Sequence, residues 1–114
     1  MAATKAYSIV IRIHPRILEL YGSSQLHKTY TVAVGAPSTP TPRGSFTVIN
    51  KAFNPGGPYG TRWLGLSKPH IGIHGTNDPA SIGKAVSKGC VRMHNADIEE
   101  VFVLMDVGDV VEIV

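Results

Sequence analysis

The sequence predicts one mostly β domain, a curved β-sandwich or closed sheet, with one helix in its carboxyl-terminal half and a short helical turn before it. Three observations predict it. Apolar residues alternate at period two in short runs, the pattern of half-buried strands. Twelve glycines and eight prolines in 114 residues separate those runs with turns and argue against a helical bundle. Only one longer segment carries apolar residues at i, i+3, i+4 and i+7, namely Ile98, Val101, Phe102 and Met105.

Taken in order, Ile9, Ile11 and Ile13 share one face of a first strand over 7–13, which His14-Pro15-Arg16 breaks. Ile17, Leu18, Leu20 and Tyr21 form a second strand. Gly22-Ser23-Ser24 turns the chain into a third, β-branched and aromatic, over Leu26–Val34, so the three read as a meander. Gly35–Gly44 holds Pro37, Pro40 and Pro42, which deny ladder hydrogen bonds, and is expected as an ordered surface loop. Phe46–Ile49 resumes strand. The glycine-rich loop 54–60 leads to strands at Trp63–Leu66 and Ile71–His74. Asp78 followed by Pro79 marks a capped single helical turn. The longer helix is expected to begin with Asn95 as its cap, with Asp97, Glu99 and Glu100 in the first turns where the helix dipole favours negative charge. Gly108 ends it, and Val110–Val114 supplies a last strand.

Residues 1–114 thus read as a single domain of ordinary size. One cysteine excludes an intrachain disulfide. A net charge of +3 from 11 basic residues scattered along the chain suits a cationic surface rather than a nucleic-acid site. No apolar run is long enough for a transmembrane helix and no signal peptide is visible in this chain.

The chemistry centres on Cys90, in Ser87-Lys88-Gly89-Cys90-Val91-Arg92-Met93. Lys88 and Arg92 flank the thiol with positive charge, which is expected to favour the nucleophilic thiolate, and Gly89 permits a sharp turn. His74 ends a strand 16 residues earlier, behind a loop long enough to fold back and offer the base that a cysteine nucleophile needs. One ring nitrogen must then be held as a donor. No aspartate is an obvious orienter, and the Gly75 carbonyl is the expected acceptor. An alternative set, His70, His74, Cys90 and His94, has the donor atoms of a tetrahedral zinc site, and strand alternation would put His70 and His74 on one face.

Together, His74-Gly75-Thr76 and Ser87–Met93 resemble the signature of the L,D-transpeptidase (YkuD-type) catalytic domain. Thr29–Gly35 and the proline loop Pro37–Phe46 are similar to the strand and loop that precede it, so the resemblance covers nearly the whole chain. Lys88 stands where the family commonly has histidine.

The resemblance implies an enzyme without metal or cofactor that acts on peptidoglycan stem peptides at the cell wall or another extracytoplasmic site, the spore wall included, and that carbapenems acylate. Cys90 would attack the bond between the third residue, a diamino acid, and the fourth, D-alanine, of a donor tetrapeptide. His74 would move the proton, with Gly75 holding its tautomer. The N–H groups of Gly89 and Cys90 would form the oxyanion hole, and a neighbouring stem amine would resolve the thioester into a 3→3 cross-link. Arg92 is expected either on the donor carboxylate or in a structural salt bridge, and Ser87 on the backbone of the cysteine turn. Tyr59 and Trp63 are expected as groove walls or as core. Water in place of the amine makes the enzyme an L,D-carboxypeptidase, and a non-catalytic wall-binding module would keep the groove without the chemistry.

Overall fold

The computed structural model describes residues 6–114. Its elements are β1 (Tyr7–Arg12), β2 (Ile17–Gly22), β3 (Gln25–Thr31), β4 (Val34–Gly35), β5 (Gly44–Phe53), β6 (Arg62–Leu66), β7 (Gly72–His74), β8 (Ala85–Ser87), β9 (Val91–Arg92), α1 (Asn95–Leu104) and β10 (Val110–Ile113). Single 3-10 turns at Gly57–Tyr59 and Pro79–Ser81 complete it. Eight strands make one curled sheet in the order β3-β2-β1-β10-β5-β6-β7-β9, and β4 pairs with β8 in a small second sheet. The mostly β architecture with one helix is the one the sequence predicts.

The alternation in β1 explains the centre of the sheet. Ile9 lies opposite Leu20 of β2 and Val111 of β10, and Ile11 opposite Leu18 and Ile113. All six side chains are buried, each contributing roughly 1.5–3 kcal/mol over an exposed counterpart. On α1 the predicted stripe of Ile98, Val101 and Phe102, extended by Met105, is also buried, and the helix packs across β6 and β7. That packing sets its first turn beside the end of β7.

Three expectations change. The predicted third strand stops at Thr31, because the Val32 N–H donates to the Arg16 carbonyl and Ala33 exchanges two backbone hydrogen bonds with Arg92, at 2.8 and 2.9 Å. The chain thereby leaves the meander and ties itself to β9. The two short strands β8 and β9 were not foreseen; their partners lie far away in sequence, so no local alternation announces them. His94, not Asn95, occupies the cap position of α1. Asn95 is the first helical residue, and its side chain is spent elsewhere. Likewise Asp78 caps the Pro79–Ser81 turn by position but without a side-chain hydrogen bond.

Candidate active site

The parallel pairing of β7 with β9 builds the site. Ile73 pairs with Val91 and His74 with Arg92, which sets Cys90, one residue before β9, beside Gly72. Side chains two apart on a strand share a face, so Cys90, His74 and Arg92 project together. They line one cleft of about 450 Å³ with Tyr59, His70 and Lys88 at its margins. Gly72 leaves the space that the Trp63 indole fills. A Cβ there would meet Trp63 Cη2 at 2.5 Å.

His74 is buried, and its Nδ1 lies 2.5 Å from the Gly75 carbonyl oxygen. A carbonyl only accepts, so Nδ1 carries the proton and Nε2 keeps its lone pair. Trp63 stacks on the imidazole, with centroids 5.7 Å apart and planes 14° from parallel, and Tyr59 meets the same ring edge-on at 5.1 Å. Of the two aromatic residues expected as walls, exposed Tyr59 lines the cleft. Trp63 does not; it backs the imidazole, and its Nε1–H donates to Asn50 Oδ1 at 2.9 Å. It packs on the ring plane and does not border the groove.

The thiol differs from expectation. Burial pushes Cys90 above the ordinary cysteine value, and a hydrogen bond from the Gly72 backbone and the charge of Arg92 oppose this without prevailing. Of the two expected cations only Arg92 acts on the sulfur; Lys88 is exposed at the margin. Burial also lowers His74, the Gly75 carbonyl raises it, and Arg92 lowers it, with a net downward shift. Both shifts favour neutral forms. Cys90 Sγ lies 3.4 Å from the His70 carbonyl oxygen, which accepts from the thiol.

The cysteine turn is held by Ser87, which is buried. Its Oγ–H donates to the Cys90 carbonyl at 2.6 Å and its oxygen accepts the Gly89 N–H at 3.1 Å. The Gly89 N–H, expected as an oxyanion donor, is thus already engaged. What Gly89 supplies is the turn itself, at φ +128, where side chains are strained. The Cys90 N–H has no acceptor among the described residues. Arg92 also lacks a carboxylate partner there, since the ion pairs among the described residues are Arg12–Glu19 and Lys28–Glu100. A structural salt bridge is not what holds it.

His70 lies outside β7, in the preceding turn with φ +65, which removes the strand face it was expected to share with His74. Among the described residues no three His, Cys, Asp or Glu side chains converge as metal ligands.

Sequence reasoning missed Asn95. Its Oδ1 accepts the N–H groups of Thr61 and Thr76, at 3.2 and 3.1 Å, and its Nδ2 donates to the Thr76 carbonyl at 3.1 Å. The same Oδ1 stands where a Cβ on Gly75 or Gly60 would lie. A polar residue at a helix start reads as a cap, and nothing local distinguishes this use.

The model of the L,D-transpeptidase catalytic domain (YkuD) matches residues 6–113. Two Bacillus proteins that carry the name L,D-transpeptidase YkuD are similar. That of Bacillus licheniformis is 53% identical over 110 residues, covering 96% of this chain and 67% of the relative. That of Bacillus subtilis (strain 168) is 57% identical over 97 residues, covering 85% and 59%. The chain therefore spans about 59–67% of the length of these curated relatives. Among solved structures, an L,D-transpeptidase from Mycobacterium smegmatis superposes with a TM-score of 0.86 at 19% identity, over 96% of this chain and 59% of that one. The structure of LdtMt1 in complex with imipenem gives 0.84 at 22%, over 96% and 59%. At these identities the structures speak to the fold.

Proposed function

Because the chain belongs to the L,D-transpeptidase catalytic-domain family, enzymes acting on peptidoglycan peptide stems, we propose that it is a cysteine acyltransferase that forms 3→3 cross-links. The observation that carries this reading is the cleft in which Cys90, Arg92 and a His74 of defined tautomer share one face of β7 and β9.

Cys90 Sγ attacks the carbonyl between the diamino acid and the terminal D-alanine of a donor tetrapeptide. As the S–C bond forms, the thiol proton passes to His74 Nε2, the lone pair that the Nδ1–Gly75 contact leaves available. Burial raises the thiol and lowers the imidazole, which favours proton transfer together with attack. The Cys90 N–H is the free donor for the developing oxyanion; losing such a donor typically costs about 100- to 1,000-fold in rate. Collapse breaks the C–N bond, and the imidazolium returns its proton to the departing D-alanine amine. An acceptor side-chain amine then attacks the thioester, His74 takes its proton, and the thiol is released. Arg92, with no carboxylate partner among the described residues, matches the donor's terminal carboxylate. The substrate puts this work outside the cytoplasmic membrane; no helix among the described residues is long and apolar enough to cross one.

Intact-mass measurement with a carbapenem tests the nucleophile. One adduct on the wild type and none on Cys90→Ala is expected, and an adduct elsewhere overturns the assignment. Incubation with disaccharide tetrapeptide then reports the acceptor. Cross-linked dimers support transfer, and tripeptide alone identifies an L,D-carboxypeptidase.

A further inference from the structure

We propose that the cleft between the β1–β2 turn and the proline loop is a second binding site, one that takes the terminal carboxylate of a peptide on Arg16 and Arg43. It rests on the peptidoglycan reading above only in naming that peptide as a further wall stem.

This cleft, of about 290 Å³, is separate from the one holding Cys90. Arg16, Arg43 and His14 line its polar side and no carboxylate lines it. Neither arginine belongs to the ion pairs among the described residues. Arg16 is half-buried. Its NH1 reaches the Gly83 carbonyl at 3.4 Å, while its Nε is buried with no hydrogen-bond partner. A buried charged donor without an acceptor is costly, and an oxyanion in the cleft, meeting the outer N–H groups of the same guanidinium, supplies the counter-charge that no carboxylate there provides. Arg43 NH2 contacts His14 Nε2 at 3.3 Å. A guanidinium only donates, so this ring nitrogen accepts and steadies Arg43 while its other N–H groups remain for a ligand.

The remaining wall selects among oxyanions. Pro37 and Pro40 line the same cleft with exposed apolar surface. That surface suits a carboxylate on a small alkyl carbon, such as a D-alanine end, better than a hydrated phosphate. The site is also joined to the nucleophile. The proline loop that lines this cleft is tied to the Ser87 carbonyl by the Ala36 N–H at 2.9 Å and the Thr39 hydroxyl at 2.8 Å. Ser87 in turn holds the Cys90 turn. A stem seated here keeps the polymer on the domain while another reacts at Cys90.

Titration of the 15N-labelled chain with N-acetyl-D-alanine tests the proposal by NMR. Saturable shifts are expected at the Gly35 and Ala36 amides and at the Arg16 and Arg43 Nε resonances, absent with N-acetyl-D-alaninamide. Arg16→Gln and Arg43→Gln should each weaken this binding about tenfold or more. Both should leave the rate of carbapenem acylation at Cys90 unchanged, which separates this site from the catalytic reading. Arg43 is exposed, so its variant decides alone if Arg16→Gln does not fold. Equal shifts from the amide, saturation confined to the Cys90 cleft, or stronger binding of inorganic phosphate at the same resonances would overturn the proposal.

Discussion

Asn95 clamps Thr76 from both sides: its Oδ1 accepts the Thr76 N–H and its Nδ2 donates to the Thr76 carbonyl, each at 3.1 Å. Between Thr76 and His74 lies Gly75, whose carbonyl orients the imidazole and which has no room for a Cβ beneath Asn95 Oδ1. A helix residue thus governs the tautomer of a strand residue through one intervening peptide.

Asn95→Ala should act on the histidine as well as on stability. It strips the Thr61 and Thr76 N–H groups of their acceptor, at about 1–3 kcal/mol for each group left buried and unpaired. The Gly75 carbonyl raises His74, so loosening it should move the acid limb of the carbapenem acylation profile to lower pH. Thermal melting and the pH profile separate the two effects; a lower melting temperature with an unmoved limb would mean that Asn95 is structural only.

Arg92→Gln should move two titrations in one direction. The Arg92 charge disfavours imidazolium and favours thiolate, lowering both His74 and Cys90. Without it, the acid limb of acylation and the thiolate limb of iodoacetamide alkylation should both shift to higher pH. Opposite shifts would contradict the proposed electrostatics.

Gly72→Ala should disable acylation while leaving Cys90, His74 and Arg92 in the sequence. Its Cβ meets Trp63 Cη2 at 2.5 Å and the Leu64 carbonyl oxygen at 2.8 Å, forcing the indole off the His74 ring and β7 away from β6. A loss of about 100-fold is expected, the scale of misplacing reacting groups by about 1 Å. Adding Trp63→Leu to make room should restore stability before it restores rate, as melting and single-turnover acylation would show.

Low pH should weaken the fold through His74. Burial lowers it, so the unfolded chain binds the proton more readily. The stability at stake is fully present above the unfolded value of about 6.5 and is lost as pH falls from there toward the folded value. Replacing His74 with Gln should flatten that part of the urea-midpoint profile; an unchanged slope would place the acid sensitivity elsewhere.

Ser87→Ala should loosen the cysteine turn. Both the Gly89 N–H and the Cys90 carbonyl lose their Ser87 partner, at a cost of about 1–3 kcal/mol for each group left unpaired. Hydrogen exchange at Gly89 should accelerate markedly while that of β1 stays slow.

What was legible in the chain were the features that a few neighbouring residues decide. Alternation places Ile9 and Ile11 inward, the 3.6-residue period places Ile98, Val101 and Phe102 inward, and the short peptide around Cys90 together with His74-Gly75 points to a nucleophile and its base. What the tertiary structure decided depends on partners distant in sequence. It assigned the Gly89 N–H to Ser87, put Trp63 behind the imidazole, gave Asn95 a clamp instead of a cap, and half-buried Cys90 so that its thiol is pushed up where flanking charge was expected to pull it down. The physical reason is common to all four. Burial of a side chain follows local periodicity, whereas desolvation of a charge and the sharing of hydrogen bonds depend on which strands and helix the fold brings against it.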